Sequence, residues 1–342
     1  MHEGMILEMK LNFDEIKSIT QGAARVEKGE KGVRFFRFNK EEEEAYSSSS
    51  HLPKTYSTSG VQMLFRTDGD ALELKINTTS ATTRKYFAFD IFVNDKPVGA
   101  LKNFDEKELV GNYTKDPFPL GEFEGKFELG EGEKTVRIVF PWSVVAELYE
   151  MNIESATFVE PVKRTKTILM YGDSITHGYD ALYPSHSYAS RLAHSLDAQI
   201  FNKAIGGEVF FPELAKIKND IEPDYITVAY GTNDWSKNTK DVFVKNSRSF
   251  YEALIKNYPN AKIFAIAPIW RKDYTEYREF GEFKEVYEIL EELGKDLGIN
   301  YISGWDFVPK EESYFADFRL HPNDKGFEQY FKNLQKEMKK FL

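Results

Sequence analysis

Residues 167–178 read TILMYGDSITHG, an apolar run that ends in Gly172, Asp173 and Ser174. A short apolar run between turn residues is typical of a strand that is buried on both faces of a parallel sheet. The polar residues that follow indicate a turn into a helix, because Asp and Ser are favoured helix caps. The stretch therefore predicts a strand, a turn and a helix, with Ser174 held at the carboxyl end of the strand.

The alternation of strand and helix continues to the C-terminus. Strands are predicted at Thr167–Tyr171, Gln199–Asn202, Tyr225–Tyr230, Lys262–Ala267 and Asn300–Ser303. Helical patterns lie between them, at Tyr188–Leu196, Asp241–Asn257, Phe283–Leu297 and Lys325–Phe341. Short apolar strands that alternate with longer helices indicate a parallel sheet covered on both faces. The second half of the chain is therefore expected to be a flavodoxin-like, three-layer α/β/α domain.

The chain before about residue 160 has a different texture. Short runs rich in aromatic and β-branched residues alternate with turn signals, and they lie at Val33–Phe38, Val61–Phe65, Ala71–Ile76, Tyr86–Val93, Phe123–Leu129 and Thr135–Phe140. Strands at this spacing predict an antiparallel, jelly-roll-like β-sandwich. The junction is placed at Glu160–Arg164, which gives two domains, residues 1–162 and residues 163–342.

Two polar segments of the first domain receive structural interpretations. The stretch Tyr46–Gly60, which contains four consecutive serines, predicts a long loop. A loop of that length in a compact domain is either functional or mobile, and mobility is favoured here. The run Glu41–Glu44 predicts a solvated face.

Composition and charge exclude several classes of protein. The 342 residues carry a formal net charge of -10, which disfavours nucleic acid as a partner because phosphate contacts need a basic surface. The longest apolar stretch, Ile263–Trp270, is too short to span a membrane. The absence of cysteine excludes disulfides and a cysteine nucleophile, and no cofactor is expected. The N-terminal MHEGMILEMK lacks the pattern of a secretory signal, so a cytoplasmic location is expected.

Polar residues that follow the predicted strands offer the parts of a nucleophilic site. In an open parallel sheet, ligands bind beyond the carboxyl ends of the strands. Ser174 follows the first strand as a candidate nucleophile, and Gly207 and Asn233 follow the next two as candidate oxyanion donors. Only His321 both lies past the last strand and has a carboxylate, Asp317, one helical turn upstream. Each residue alone also fits a turn, cap or loop role, but their order along one sheet favours catalysis.

From Thr167 to its end, the chain resembles the SGNH (GDSL-type) hydrolases in four ordered blocks. The blocks are Gly172–Ile175, Asn202–Gly207, Gly231–Asp234 and His321–Asn323. The resemblance implies that Ser174 is the nucleophile and His321 its base. It also implies an oxyanion hole formed by the Ser174 and Gly207 amides and the Asn233 side chain.

One position departs from the family pattern. The family usually has Asp three residues before the histidine, where this chain has Phe318. Asp317, four residues before His321, is the expected orienting group, and a backbone carbonyl is the alternative. Asp173, next to the nucleophile, is assigned a structural role as a helix cap.

The phrases GDSITHGYDALYPSHSY and AYGTNDW are similar to bacterial members that carry an N-terminal β-sandwich. That resemblance implies a serine esterase that hydrolyses short acyl esters, acetyl above all, of a carbohydrate or another small molecule. The first domain is expected to select the substrate. Two alternatives stay open, an acyltransferase that uses the same serine and a carbohydrate-binding protein with a vestigial hydrolase domain. The sequence does not indicate the oligomeric state.

Side chains close to the blocks are candidates for substrate contacts. They are His177, Tyr179, Asp180, Tyr183 and Trp235. Aromatic faces suit sugar rings and acyl groups, and core packing is the alternative interpretation. No metal site is predicted, because His177 and His186 have no partners at a recognisable ligand spacing.

Overall fold

A computed structural model describes residues 8–109 and 113–342 and divides into two compact units. The first unit contains the described residues up to 37 together with 56–164 and 183–185. The second unit contains residues 38–55, 165–182 and 186–342. This division differs from the predicted one, because residues 38–55 pack with the second unit. Residues 1–7, which belong to the stretch searched for a secretory signal, lie outside the described residues.

The first unit is built mainly from antiparallel strands. They are β1 Glu8–Lys10, β2 Thr20–Gln21, β3 Arg25–Lys28, β4 Val33–Phe36, β5 Gln62–Thr67, β6 Ala71–Ser80, β7 Ala88–Val93, β8 Lys96–Lys102, β9 Gly121–Glu128, β10 Lys134–Val139, β11 Val144–Glu154 and β12 Val159–Pro161. The helix α1 Phe13–Ile19 and short 3-10 turns at Glu106–Glu108 and Tyr113–Lys115 accompany them. One sheet has the order β3-β4-β11-β6-β9, with β1 beside β11. The other has the order β12-β5-β10-β7-β8, with β2 beside β5.

The two sheets of the first unit share one hydrophobic core. Leu72 and Leu74 of β6 lie in the same buried cluster as Phe65 of β5 and Ile138 of β10. Alternate residues of each strand therefore face the opposite sheet, as in a sandwich. The predicted antiparallel character of this region is confirmed, and the jelly-roll connectivity stays a prediction.

The longest strand of the first unit, β11, is missing from the predicted strands. Its pairing with β6 shifts register between Leu148 and Glu150, where a β-bulge adds a residue. The buried positions consequently run Val144, Ala146 and Leu148 before the bulge and Met151 and Ile153 after it. The bulge interrupts the alternation of apolar and polar residues by which a strand is identified in a sequence.

The second unit alternates strands and helices. Its strands are β13 Lys166–Gly172, β14 Ala198–Asn202, β15 Tyr225–Ala229, β16 Lys262–Ile266 and β17 Asn300–Ile302. Its helices are α2 Lys40–Ala45, α3 Leu52–Thr55, α4 Ser174–His177, α5 Tyr188–Ser195, α6 Pro212–Lys216, α7 Thr232–Lys237, α8 Lys240–Asn257, α9 Lys284–Leu297 and α10 Asp324–Met338, with 3-10 turns at Pro184–His186 and Glu312–Tyr314. Across residues 8–109 and 113–342, no helix combines the length and the apolar character that crossing a membrane requires.

The parallel sheet of the second unit lies between two helical layers. Its strand order, β14-β13-β15-β16-β17, is the doubly wound order also found in flavodoxin. Along β13, Leu169 and Tyr171 join a core cluster with α6, α8 and α9. Ile168 and Met170 join a separate cluster with α5 and α10. The prediction of a parallel sheet covered on both faces is therefore confirmed.

Residues 38–55 dock on the second unit through a buried ion pair. The Lys203 ammonium donates to the Glu42 carboxylate at 2.6 Å, and neither side chain is exposed. The Asn219 side-chain amide also donates to Glu42, at 2.9 Å. The prediction that Glu41–Glu44 is a solvated face is therefore wrong at Glu42, because that carboxylate neutralises a buried lysine.

The segment that follows is also more ordered than predicted. The stretch expected to be a mobile loop, Tyr46–Gly60, contains helix α3, and Tyr46 is buried against Phe211 with ring centroids 5.0 Å apart. The apolar partner of Tyr46 is distant in the chain, so the local sequence does not indicate this packing.

We expect Glu42→Gln to lower the free energy of unfolding by about 3 kcal/mol or more, because it leaves a buried ammonium without its carboxylate. Urea unfolding measures this change. Glu41→Gln, on the exposed side of the same helix, is the matched control and should change stability by less than about 0.5 kcal/mol. Equal effects of the two substitutions would show that the ion pair does not stabilise the docked segment.

Candidate active site

Three adjacent parallel strands bring the predicted blocks to one edge of the sheet. β13 lies between β14 and β15, and all three run in the same direction. The residues that follow each strand therefore leave the sheet at the same edge. A backbone hydrogen bond joins two of the blocks there, because the Ile205 N–H donates to the Gly172 carbonyl oxygen at 3.0 Å.

Ser174 is the first residue of α4 and follows directly on the helix cap. Asp173 accepts a hydrogen bond from the Ile175 N–H at 2.9 Å, which is the structural role predicted for it. The turn is too tight for a side chain at Gly172, where a Cβ would lie 2.3 Å from the Thr176 hydroxyl oxygen. The Gly-Asp-Ser order thus follows from the geometry of a sharp strand-to-helix turn.

Ser174, His321 and Asp317 form a continuous chain of hydrogen bonds. The Ser174 hydroxyl oxygen lies 2.8 Å from His321 Nε2, and His321 Nδ1 lies 2.7 Å from the Asp317 carboxylate. A carboxylate at Nδ1 favours the tautomer whose Nε2 is an acceptor, and the hydroxyl donates to that nitrogen. The structure therefore brings together the three side chains that the sequence singled out, including the one at unusual spacing.

A left-handed residue accommodates the four-residue spacing between Asp317 and His321. Phe318 has φ of +58° and its side chain is exposed. The turn folds the backbone over the other carboxylate oxygen, Asp317 Oδ1. That oxygen accepts the N–H groups of Arg319, Leu320 and His321 at 3.0, 2.8 and 3.0 Å. The carboxylate thereby organises the turn and the imidazole together.

Asp317 stays ionised because its hydrogen bonds outweigh its burial. Burial alone would raise the pKa of this carboxyl, but the hydrogen bond and positive charge of His321, together with the backbone amides, hold the pKa well below its ordinary value. An ionised carboxylate at Nδ1 stabilises the imidazolium that forms when His321 takes a proton.

A hydrogen bond joins Asn233 to the segment that carries Gly207, and both are predicted oxyanion donors. Gly207 has φ of +87°, a conformation that favours glycine, and Gly206 approaches Tyr179 so closely that a Cβ would lie 2.5 Å from the ring. The Asn233 side-chain amide donates to the carbonyl oxygen of Glu208 at 2.9 Å. One N–H of Asn233 is therefore anchored on the segment that carries Gly207, which fixes the direction of the other N–H.

Two further carboxyl groups at this edge are fully enclosed. Burial raises the pKa of Asp173 to about 6, against the hydrogen bond from Ile175, and burial raises the pKa of Asp234 to about 7. Asp234 accepts the Phe210 N–H through one oxygen, at 3.1 Å. Among the described residues, its other oxygen is buried without a hydrogen-bond partner. Both carboxyl groups therefore stay protonated to a higher pH than an ordinary aspartate does.

Two of the five predicted substrate contacts are core residues instead. Trp235 and His177 are each 0% exposed, so neither offers a face to a ligand. The Trp235 indole donates to the Gly281 carbonyl oxygen, and His177 Nδ1 accepts the Gly206 N–H at 3.2 Å. Their burial does not support the prediction that they line the pocket.

The other three predicted contacts have different surroundings. Tyr179 stacks on His321 with ring centroids 5.9 Å apart, and the buried Asp180 places a carboxylate oxygen 3.7 Å from His321 Nδ1. Tyr183 belongs to the first unit, where the Lys102 ammonium donates to its hydroxyl oxygen at 2.7 Å. Substrate contact by these residues stays a prediction.

Three side chains beside the turn at residues 206–207 are not among the predicted site residues. Residues 38–55 carry His51 and Lys54 to the glycine turn, and the Lys54 ammonium donates to the carbonyl oxygen of Gly206. His51 Nδ1 lies 3.2 Å from the Glu208 carboxylate. Lys237, at the end of α7, donates to the carbonyl oxygen of Gly207. No local pattern marks the residues near position 50, because their partners lie more than 150 positions away.

A buried arginine ties the Asn233 turn to the His321 turn. Arg271 donates to the Thr232 carbonyl oxygen at 2.8 Å and to Asp273 at 2.6 Å. Arg319 donates to the same Asp273 carboxylate at 3.0 Å. Thr232 precedes Asn233, and Arg319 lies inside the turn that presents His321. The network therefore fixes the spacing between two blocks that are far apart in the chain.

Two groups of three side chains in the described residues have donor atoms close enough to hold a metal ion. They are Asp180, Asp317 and His321, and Glu8, Glu73 and Glu154. The first group coincides with the hydrogen-bonded chain at Ser174, where His321 Nδ1 already contacts a carboxylate. The second group consists of exposed and half-exposed carboxylates of the first unit. Neither group resembles the closed His and Cys set of a structural zinc site.

Residues 170–329 match the family described as GDSL-like Lipase/Acylhydrolase. Among solved structures, the chain is similar to a salicylyl-acyltransferase from a tetracycline biosynthetic pathway, with a TM-score of 0.80, 18% identity and coverage of 98% of this chain and 97% of that one. It is also similar to a family two carbohydrate esterase from Cellvibrio japonicus, with a TM-score of 0.67, 17% identity and 98% coverage of both chains.

An acetyl xylan esterase from the rumen bacterium Butyrivibrio proteoclasticus has a TM-score of 0.62, 15% identity and 99% coverage of both chains. At such identities the likeness shows a shared fold over nearly the whole chain. No curated protein sequence matches the chain. The family match supports a carboxylic ester hydrolase.

We expect Asp234→Asn to remove part of the pH dependence of stability. Because the pKa of Asp234 is raised from 3.8 to about 7 in the folded chain, folding is favoured by its protonated form, and that contribution is lost as the pH rises between these values. The Asn variant should therefore gain stability relative to the wild type on going from pH 5 to about pH 8. Urea midpoints at both pH values measure the difference.

The matched control is Asp241→Asn, an exposed aspartate in the first turn of α8. It should shift the urea midpoint by the same small amount at both pH values. If Asp234→Asn behaved like this control, the Asp234 carboxyl would not be protonated more readily in the folded chain.

Proposed function

Because residues 170–329 form a domain of the GDSL-like lipase/acylhydrolase family, we propose that this chain is a serine esterase acting on short acyl esters, acetyl above all, of a carbohydrate. The observation that carries the proposal is the chain of hydrogen bonds from Ser174 through His321 to Asp317, at 2.8 and 2.7 Å. A hydroxyl bonded to an imidazole that is bonded to a carboxylate is the arrangement that activates a serine for acyl transfer.

The proposed reaction has two acyl-transfer steps. The Ser174 oxygen attacks the ester carbonyl carbon while His321 Nε2 takes the hydroxyl proton, and the carbonyl oxygen becomes an oxyanion. The amides of Ser174 and Gly207 and the Asn233 side chain donate hydrogen bonds to that oxyanion. When the carbon–oxygen bond to the alcohol breaks, His321 gives its proton to the leaving alkoxide, and an acyl-serine remains. Water then repeats the sequence and releases the acid.

The carbohydrate substrate is supported by the kinds of protein that share the fold. Two similar solved structures are a carbohydrate esterase and an acetyl xylan esterase. Both match over nearly the whole chain, including the strand-rich first unit. We propose on this basis that the first unit contributes to the choice of substrate and that the second unit performs the chemistry.

Acyl transfer to an alcohol other than water is the second candidate. It is favoured by the similarity to a salicylyl-acyltransferase, which has a TM-score of 0.80. The same serine, histidine and oxyanion donors serve either reaction, and only the acceptor in the second step differs. A vestigial hydrolase is disfavoured because the nucleophile, the base and the carboxylate are all present and hydrogen-bonded to one another.

We expect Ser174→Ala to abolish hydrolysis of a panel of aryl esters and acetylated sugars, with a loss of at least about 10^4-fold in kcat. Ser195→Ala, which removes a hydroxyl bonded only locally to the Leu192 carbonyl oxygen, is the control and should keep its activity. A fluorophosphonate should label Ser174 in the wild type. Product analysis with added alcohols distinguishes the esterase from the acyltransferase, and turnover by the Ala variant would refute both.

We expect Asp317→Asn to lower kcat by about 10^4-fold with little change in KM, since it removes the charge that orients and stabilises His321. The control is Asp324→Asn, which alters another aspartate 2.7 Å from a histidine, His186, outside the proposed site. It should retain turnover within about tenfold. If the large loss instead followed Asp180→Asn, the second carboxylate near His321 would be the orienting group.

A further inference from the structure

Three basic side chains converge on Gly207, and the proposed mechanism uses none of them. Measured from the position that a Cβ of Gly207 would take, His51 Nε2 and Lys237 Nζ lie 3.6 Å away and Lys54 Nζ lies 3.7 Å away. We call these three side chains the basic ring. Because Gly207 is a proposed oxyanion donor, the basic ring lies directly beside the position of the reacting ester.

The basic ring holds like charges close together beside one carboxylate, Glu208. That carboxylate lies 3.2 Å from His51 Nδ1. Burial lowers the pKa of Lys54, the positive charge of Lys237 lowers it further, and Glu208 opposes both effects. The two ammonium groups of the basic ring outnumber the Glu208 carboxylate beside it, although the chain as a whole is acidic.

Two helices of the second unit hold the lysines of the basic ring in place. Lys54 lies in α3, on the segment that the buried Glu42–Lys203 ion pair holds against the second unit. Lys237 arrives from α7, the helix that begins beside Asn233. Two separate elements therefore present an ammonium group at the same glycine.

Hydrogen bonds to the glycine turn do not explain why both side chains are lysines. Each ammonium does donate to a carbonyl oxygen, of Gly206 for Lys54 and of Gly207 for Lys237. A neutral donor would make the same hydrogen bond without repulsion between two like charges. A bound anion removes that repulsion, because it interacts favourably with both ammonium groups.

We propose that the basic ring of His51, Lys54 and Lys237 binds a carboxylate carried by the ester, so that the enzyme selects acidic substrates. The inference rests on the proposed esterase function, whose substrate class it narrows. The carboxylate has two possible sources, an acyl group derived from a dicarboxylic acid or an alcohol that is a sugar acid. Both present the same group to the same three side chains.

The test compares kcat/KM within two matched pairs of esters. The first pair is the 4-nitrophenyl monoester of glutaric acid against 4-nitrophenyl pentanoate, corrected for spontaneous hydrolysis. The second pair is a monoacetylated methyl glucuronide against the same acetate of methyl glucoside. We expect the wild type to prefer the acidic member of one pair by at least about tenfold, the size of a charged hydrogen bond. Added salt should reduce that preference.

The variants assign the preference to the basic ring. Lys237→Met should reduce the acidic-to-neutral ratio about tenfold, and Lys237→Arg should retain most of it. Lys245→Met removes another exposed lysine of the second unit, on α8, and should leave the ratio at the wild-type value. Lys54→Met should reduce the acidic-to-neutral ratio as Lys237→Met does. If the Lys54 variant does not fold, the test still rests on Lys237, because that side chain is exposed.

A binding measurement separates this inference from the proposed function, because it requires no turnover. Calorimetric titration of Ser174→Ala with glutarate should show binding that the double variant Ser174→Ala, Lys237→Met loses. Such binding without hydrolysis of any ester would refute the esterase and support the anion site. A ratio that the lysine variants leave unchanged, or an equal loss on acidic and neutral esters, would overturn the inference.

Discussion

The buried ion pair between Glu42 and Lys203 is the interaction on which the arrangement of the site depends. An ammonium group without solvent contact is strongly unfavourable unless a carboxylate meets it. The backbone of Lys203 is held beside β13, because its N–H donates to the Met170 carbonyl oxygen at 2.7 Å. The ion pair therefore holds residues 38–55 to the rest of the second unit. That docking carries His51 and Lys54 to the glycine turn that follows Lys203.

The second unit includes residues that lie well before the boundary expected from the sequence. A boundary at residue 162 follows the change from strand-rich to alternating sequence. The core of the second unit, however, also contains residues from before that boundary. Phe38 and Tyr46 belong to the same hydrophobic cluster as Tyr171 and Phe250. Cutting the chain near residue 160 would remove these side chains together with the carboxylate that neutralises Lys203. Residues 38–55 thus belong to the same compact unit as the second half of the chain.

Local patterns were sufficient for the sheet and for the residues at its edge. Period, turn residues and strand ends predicted the five strands of a parallel sheet and led us to expect Ser174, Gly207 and Asn233 at one edge. The same patterns failed where the determining partner is distant in the chain. Glu42 looks like any glutamate on an exposed helix, and its burial is decided by a lysine 161 positions later. Trp235 looks like a pocket aromatic, yet it is fully buried and its indole donates to the Gly281 carbonyl oxygen, 46 positions later.

The charges of the site match the charge separation that acyl transfer creates. In the proposed reaction, the attack of Ser174 on an ester develops positive charge on His321 and negative charge on the carbonyl oxygen. The imidazole has two carboxylates at its Nδ1, Asp317 at 2.7 Å and Asp180 at 3.7 Å. The glycine turn has ammonium groups instead. In the proposed reaction, each developing charge would therefore meet fixed charge of the opposite sign. Selection of an acidic ester would use the same positive field before the reaction begins.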